Sequence, residues 1–184
     1  MTGLRKANAY SKRPVTPYTR KSKKKGKSFI KAVPPQSVVK FTMGSEAQFN
    51  KGEYPFQLLV VSNEPIKVQV RSNALESCRQ FINKKMDKSY PGQYFFRVLP
   101  YPHHIQRENK MLTGAGSDRM QTGMQLSFGK AVGRAAIVNP NDGLFFMAIT
   151  NKKAEAFARH LFKQIKSKLP CVTRIETVEN GIKI

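Results

Sequence analysis

The chain has 184 residues, 40% of them hydrophobic, and its 33 Lys and Arg against 11 Asp and Glu give a net charge of +22. This length predicts one domain of about 100 to 150 residues plus an extension. So large a positive charge is outside the range of an ordinary soluble enzyme and predicts a polyanionic partner, with nucleic acid first and an anionic membrane surface second.

Membrane insertion and cysteine chemistry find little support in the sequence. No apolar run approaches the roughly 18 to 20 residues that span a bilayer. The basic start, MTGLRKANAYSKRPV, has no apolar segment behind it, so we expect no secretory signal and a cytoplasmic location. Cys78 and Cys171 lack the number and spacing of a disulfide framework or a zinc site, and we expect two buried thiols.

Residues 1–36 are predicted to form a basic, extended arm. No Asp or Glu precedes Glu46, so the arm cannot neutralise its own charge. Interspersed Pro and Tyr favour extended backbone and supply rings that can stack on bases or sugars. A solubilising or nuclear-targeting tract is the alternative. The nucleic-acid interpretation makes these residues the candidate contacts: Lys12, Arg13, Tyr18, Arg20, Lys21, Lys23, Lys24, Lys25 and Lys27.

Residues 37–184 are predicted to form the folded domain. Strands are expected at Val38–Gly44 and Pro55–Val61, joined by a polar connection. Ser62 or Asn63 can cap a helix that ends near Met86. Its predicted apolar face recurs every three to four residues and consists of Ile66, Val70, Ala74, Cys78, Phe81 and Ile82. A strand at about Tyr94–Leu99 is then expected to lead directly into a long loop.

The loop from Arg107 to Lys130 is predicted to be irregular and functional. Gly114, Gly116 and Gly123 interrupt any regular element, and loops of this length are usually functional or disordered. Basic residues alternate with Met, Leu and Phe rather than with a solvating run of Ser and Glu. We therefore expect the loop to contact something negatively charged.

After the loop, the pattern predicts a hairpin, a helix and a last strand. The hairpin pairs Val132–Val138 with Leu144–Thr150 across an NPNDG turn. The helix begins at Thr150 or Asn151, ends near Lys168 and carries a basic outer face; Pro170 ends it and CVTRIETVE forms the strand. The order of strands and helices along the chain predicts a two-layer α+β domain in which two helices cover one side of a mixed or antiparallel sheet.

Catalytic constellations are scarce. His103 and His104 lie beside the loop without metal-ligand spacing and are interpreted as a surface pair. The GAGSDR run lacks the spacing of a phosphate-binding glycine loop. Asp118 with Glu108 is the one carboxylate pair that could serve acid–base chemistry. The sequence thus predicts no catalytic residue, no metal, no cofactor and no small-molecule substrate.

Several long motifs resemble a ribosomal protein family. KRPVTPYTR, FTMG, SNALESCRQFINKKM and above all ENKMLTGAGSDRMQTGM followed by FGKAVGRAA are similar to the archaeal and eukaryotic large-subunit family L-ten-e, the counterpart of bacterial L-sixteen. The similarity extends from about Tyr10 to Thr177. The chain ends without the extension of eukaryotic members, which indicates an archaeal source.

The resemblance implies a fold and partners. The fold is of the α/β-hammerhead type, bound to large-subunit (23S) rRNA near the A site and the central protuberance, with 5S rRNA and neighbouring ribosomal proteins as further candidate partners. Arg107, Lys130 and Arg134 are implied rRNA contacts. The loop is implied to approach A- and P-site tRNA and the peptidyl-transferase centre through Lys110, Met111, Leu112, Thr113, Gly114, Ala115, Gly116, Ser117, Asp118, Arg119, Met120 and Gln121.

Two departures from the family pattern stand out. MQLSFGKA places Gln125 and Ala131 where the family commonly has Arg and Pro, which removes one phosphate contact and one rigid turn. The KSKKKGK run enlarges the usual arm.

The functional hypothesis is a structural constituent of the large ribosomal subunit that supports translation and late subunit assembly. A free RNA-binding or chaperone module is the alternative. An RNA-modifying enzyme that uses Asp118 or a histidine is a further one.

Overall fold

The structure, a computed structural model, describes residues 17–18, 30, 32–108 and 129–178. The basic arm residues other than Tyr18, and the predicted loop residues 110–121, lie outside the described residues. The elements are β1 (Thr42–Gly44), α1 (Glu46–Asn50), β2 (Phe56–Ser62), β3 (Val68–Arg71), α2 (Ser72–Ser89), β4 (Tyr94–Val98), β5 (His104–Glu108), β6 (Lys130–Val138), β7 (Gly143–Ile149), α3 (Lys152–Ile165), a 3-10 turn (Lys166–Lys168) and β8 (Thr173–Val178).

The strands form two antiparallel sheets. One has five strands in the order β1-β4-β7-β2-β8, and the other has three in the order β3-β6-β5. Each described pairing is antiparallel. The predicted α+β class is confirmed, with two antiparallel sheets where one sheet was expected.

The main core lies between the two longer helices and both sheets. It unites Leu75 and Ile82 of α2 with Leu161 and Phe162 of α3 and with Phe96 of β4. The helical face predicted for residues 151–168 is confirmed, since Ala154, Ala158 and Ile165 are also buried there. The opposite face of the five-stranded sheet has its own small aromatic cluster, in which Phe49 of α1 stacks on Phe95 at 4.8 Å.

The first long helix begins later than predicted. Ile66 and Val70 were placed on its apolar face, but Val68–Arg71 is a strand and the helix begins at Ser72. Residues four apart share one face in a strand as well as in a helix, so this spacing did not distinguish the two. Val68 and Val70 are buried on the core side of the three-stranded sheet, whereas Ile66 is 48% exposed. The polar connection 45–54 also contains the short helix α1, which was not predicted.

The predicted hairpin of residues 132–150 is wrong, although its turn is present. β6 pairs with β3 and β5, whereas β7 pairs with β2 and β4. The turn carries the chain from one sheet to the other. Asp142 accepts hydrogen bonds from the backbone and side chain of Asn139, and Asn141 has a positive φ of 64°. Turn chemistry is local, but the choice of strand partner is made by distant packing.

The predicted loop is shorter at both ends than expected. Arg107 and Glu108 belong to β5 and Lys130 to β6, and Glu108 pairs with Lys130. Nor does β4 enter the loop directly, because β4 ends at Val98 and the chain then crosses to the other sheet before β5. The strands therefore hold Glu108 and Lys130, which lie on either side of residues 109–129 in the chain, side by side.

Candidate nucleic-acid interface

Three of the twelve predicted rRNA contacts lie on neighbouring strands of the three-stranded sheet. Arg107 on β5 stands opposite Ala131 of β6, one residue from Lys130, and a register shift between Gln106 and Arg107 locally disturbs the ladder. Lys130 is exposed, and Arg107 is half-buried. Arg134 lies further along β6, opposite Ile105. The structure thus brings these three residues to nearby positions on two paired strands, with the side chains of Arg107 and Lys130 on opposite faces of the sheet.

A fourth predicted contact, Tyr18 of the arm, packs on the edge of that sheet. The Tyr18 backbone N–H donates to His104 Nδ1 at 2.9 Å, and the Ile105 N–H donates to the Tyr18 carbonyl at 3.1 Å. The Arg107 guanidinium carbon lies 3.6 Å from the centre of the Tyr18 ring, which is close cation–π geometry. β5 is an edge strand, so Tyr18 occupies backbone groups that a strand partner would otherwise use.

His104 is the residue that makes this contact possible. The prediction of a surface pair is wrong for His104, which is buried, and correct for His103, which is exposed. Burial lowers the pKa of His104 to about 4, and the positive charges of His103 and Arg107 add to the effect. The ring is therefore neutral near pH 7. Because Nδ1 accepts from Tyr18, the ring proton is on Nε2.

A second point of the N-terminal segment is held by Arg134. Its Nε donates to the Pro34 carbonyl at 2.7 Å, across 100 residues of sequence. Arg134 was predicted as an rRNA contact, and the structure also gives it this internal bond. A half-buried guanidinium with one N–H committed to the protein is held in a fixed orientation for its remaining donors.

Glu76 of α2 fixes the next part of the same segment and was missed by the sequence reasoning. It accepts from the Val39 N–H at 3.3 Å, from Arg79 Nη2 at 2.6 Å and from Gln80 at 2.9 Å. The Arg79 hydrogen bond holds the pKa of Glu76 below its usual value. The three-residue spacing of Glu76 and Arg79 was the available signal.

The outer face of α3 is a second basic surface, as predicted. Glu155 is engaged by Arg159 at 2.8 Å, and Arg159 also donates to Thr177 on β8 at 2.6 Å. The single acid of the helix is therefore neutralised within the fold. The exposed lysines of this face are Lys152, Lys153 and Lys163, and Lys166 and Lys168 of the following 3-10 turn are exposed as well.

The described residues contain no metal-binding cluster, and their two thiols are buried. Among the described residues, no group of three or more His, Cys, Asp and Glu side chains could hold a metal ion. The prediction of two buried thiols is confirmed. Burial raises the pKa of Cys78 to about 12 and that of Cys171 to about 11, so both stay protonated at neutral pH. No helix in the described ranges is long and apolar enough to cross a membrane.

Known proteins resemble this chain over most of its length. The family model described as Ribosomal protein L16p/L10e matches residues 15–176. The similar proteins include three that bear the name Large ribosomal subunit protein uL16. The one from Hyperthermus butylicus is 39% identical, over 88% of this chain and 83% of the relative. The one from Thermoplasma acidophilum is 36% identical, over 90% of this chain and 88% of the relative. The one from Pyrobaculum arsenaticum is 36% identical, over 97% of this chain and 93% of the relative.

These matches confirm the resemblance that the motifs indicated. They include the arm from residue 15 onward, both ends of the loop and the helix α3. The chain therefore belongs to the L16p/L10e family of ribosomal proteins, and it is a structural constituent of the large ribosomal subunit rather than an enzyme.

Proposed function

We propose that the chain attaches to large-subunit rRNA through two basic surfaces. The first is composed of the β5–β6 end and the arm at Tyr18, and the second of the lysines of α3 and of the 3-10 turn that follows it. The observation that carries the proposal is the contact of Tyr18 with Arg107 and His104, because it joins the arm to the base of the loop. The arm and the loop then act from one place on the domain. Residues 12–27 and Lys130 would contact the same stretch of RNA.

The physics of this attachment is mainly neutralisation of phosphates. A net charge of +22 cannot be balanced within the chain, and each Lys or Arg that meets a phosphate releases a condensed counterion. Such contacts fix position and orientation and carry little base information. Exposed lysines on α3 suit this role, since the one acid of the helix is paired with Arg159.

The segment 110–121 is proposed to approach tRNA beside the peptidyl-transferase centre. Support comes from the β5–β6 ladder, which holds Glu108 opposite Lys130 and so places the two strand residues that flank the segment side by side. Glycines at 114 and 116 allow the backbone to come close to nucleotides. Contacts with A- and P-site tRNA, with 5S rRNA near the central protuberance and a role in late subunit assembly are parts of the same proposal.

A salt titration of binding to large-subunit rRNA tests the attachment. The full chain is compared with Lys130→Ala, and with Lys51→Ala as the matched control on the α1 side of the domain. If Lys130 contacts one phosphate, the slope of log K against log salt falls by about 0.7 to 0.9 in its variant and is unchanged in the control. Equal slopes for wild type and Lys130→Ala would contradict this part of the surface.

A further inference from the structure

A groove between the two sheets has no role in the function proposed above. It has a volume of 310 Å³ and lies where the β4–β5 connection, Leu99–His103, meets the β6–β7 turn. Its walls are mainly apolar, with Ile137 at the end of β6 and Gly143 at the start of β7. A few polar groups on an apolar wall are typical of a small-ligand site, and the volume is near the lower end of such sites.

An exposed aromatic ring forms one side of the groove. Tyr101 is 53% exposed, and its ring stacks on Phe41 with the ring centres 5.6 Å apart. Phe41 in turn packs against the main core, so the outer ring has a fixed support. An exposed ring held in place on one side is the kind of surface on which an unpaired base stacks.

His103 and Asp142 line the groove together with Tyr101. His103 Nδ1 lies 2.9 Å from the Tyr101 carbonyl, which can only accept, so Nδ1–H donates to that carbonyl and fixes the ring beside the groove. Asp142 is exposed and accepts both bonds from Asn139 through Oδ2, and no other described residue donates to its Oδ1. The carboxylate repels a phosphate and favours a group with adjacent N–H donors.

We propose that this groove binds an unpaired base of the large-subunit rRNA, with guanine preferred. The inference rests on the proposed rRNA attachment, because it names one base contact within it. Guanine presents N1–H and N2–H₂ side by side on its Watson–Crick edge, which matches a carboxylate, whereas uracil presents one N–H between two carbonyls. The base would stack on Tyr101 and direct this edge to Asp142.

The test measures binding of the full chain to two single-stranded oligonucleotides, UUGUU and UUUUU, by fluorescence anisotropy at one salt concentration. Both carry the same charge, so their affinity ratio isolates the base contact. Wild type should prefer UUGUU by at least about fivefold. Tyr101→Ala should abolish the preference, and Tyr101→Phe should keep it. Asp142→Asn retains an acceptor for the Asn139 turn bond but should lose the guanine preference.

A matched control separates base contact from phosphate contact. Lys163→Ala on α3 should weaken both oligonucleotides equally and leave their ratio unchanged. Equal binding of both by wild type, or a preference that survives Tyr101→Ala and Asp142→Asn, would overturn the groove proposal alone. Failure of wild type to bind either oligonucleotide would overturn the rRNA attachment and the groove together.

A second readout uses native large subunits. Ultraviolet cross-linking followed by mass spectrometry of the peptide that contains Tyr101 and His103 should give a guanosine adduct. An adduct with a neighbouring ribosomal protein in its place would show that the apolar groove receives a protein side chain, and would overturn the proposal.

Discussion

At the residue scale, two side chains hold the N-terminal segment on the domain by different means. His104 uses a neutral ring nitrogen as an acceptor, and Glu76 uses a carboxylate that is itself neutralised by Arg79. Both are buried polar groups, and both have the partners that burial requires. The N-terminal segment is thereby attached at Tyr18 through a neutral imidazole and at Val39 through a carboxylate.

The His104 contact predicts a pH dependence of stability. The pKa of His104 is lowered to about 4 from an ordinary value of 6.5, so the unfolded chain binds more protons between these values. The contribution is fully present above pH 6.5 and is lost as the pH falls toward 4. His104→Gln should lack this component. Urea unfolding of both proteins at pH 7 and pH 5 measures it, and an identical pH dependence in the two would contradict the role of His104.

The Glu76–Arg79 pair predicts a large effect of a single truncation. Its side chains are 10% and 12% exposed, and Glu76→Ala would leave Arg79 and the Val39 N–H without their acceptor. We expect a loss of about 3 kcal/mol in the free energy of unfolding. The matched control is Glu155→Ala, whose partner Arg159 is 36% exposed and for which at most about 1 kcal/mol is expected. Equal losses in denaturant unfolding would refute the distinction.

At the element scale, local signals predicted which segments fold and distant packing decided which segments meet. The α3 helix was predicted with its buried face because its periodicity is strong and its ends carry clear signals. β3 was missed because the position of Val70 fits both the helical period and the strand period. β5 was missed because its sequence, HIQRE, does not alternate apolar and polar residues. Gln106 of β5 donates to Gln69 of β3 at 3.2 Å. The polar residue of β5 is therefore buried against a strand that is distant in sequence.

The short β1–β4 pair depends on a glycine. Gly44 has φ of +93°, and a Cβ there would lie 2.3 Å from the Tyr94 carbonyl oxygen. Gly44→Ala should cost at least about 2 kcal/mol of unfolding free energy, because a left-handed backbone and a main-chain clash combine. Gly52→Ala is the control, with φ of +77° and nothing within 4 Å of the added Cβ, so about 1 kcal/mol of backbone strain is expected. A smaller loss at Gly44 than at Gly52 in chemical denaturation would contradict this account.

The sequence predicted which basic residues belong to the candidate interface, but it did not predict which residues contact one another there. Arg107 and Lys130 were named as the two ends of the loop, and the β5–β6 ladder places those ends together. Tyr18 was expected to stack on nucleic acid, yet in the structure its ring lies against Arg107. The contacts of Tyr18 with His104 and of Arg134 with Pro34 span 86 and 100 residues, which no local spacing can indicate.

At the scale of the whole molecule, the positive charge and the family membership both indicate rRNA as a partner. As a member of the L16p/L10e family, the chain is a component of the ribosome in the cytoplasm, with rRNA and other ribosomal proteins as its partners. Its α+β domain supplies a rigid sheet to which the arm and both loop ends attach. The division into an arm of residues 1–36 and a domain of residues 37–184 stays a prediction.

The central claim is that two basic surfaces, the β5–β6 end with Tyr18 and the α3 lysines, both bind rRNA. A density map of the native large subunit, with and without tRNA, tests it most directly. We expect rRNA phosphates within contact distance of Lys130 and of the α3 lysines, with Tyr18 still stacked on Arg107. A map in which these surfaces face solvent, or are covered by another protein while rRNA contacts the α1 side, would contradict the account.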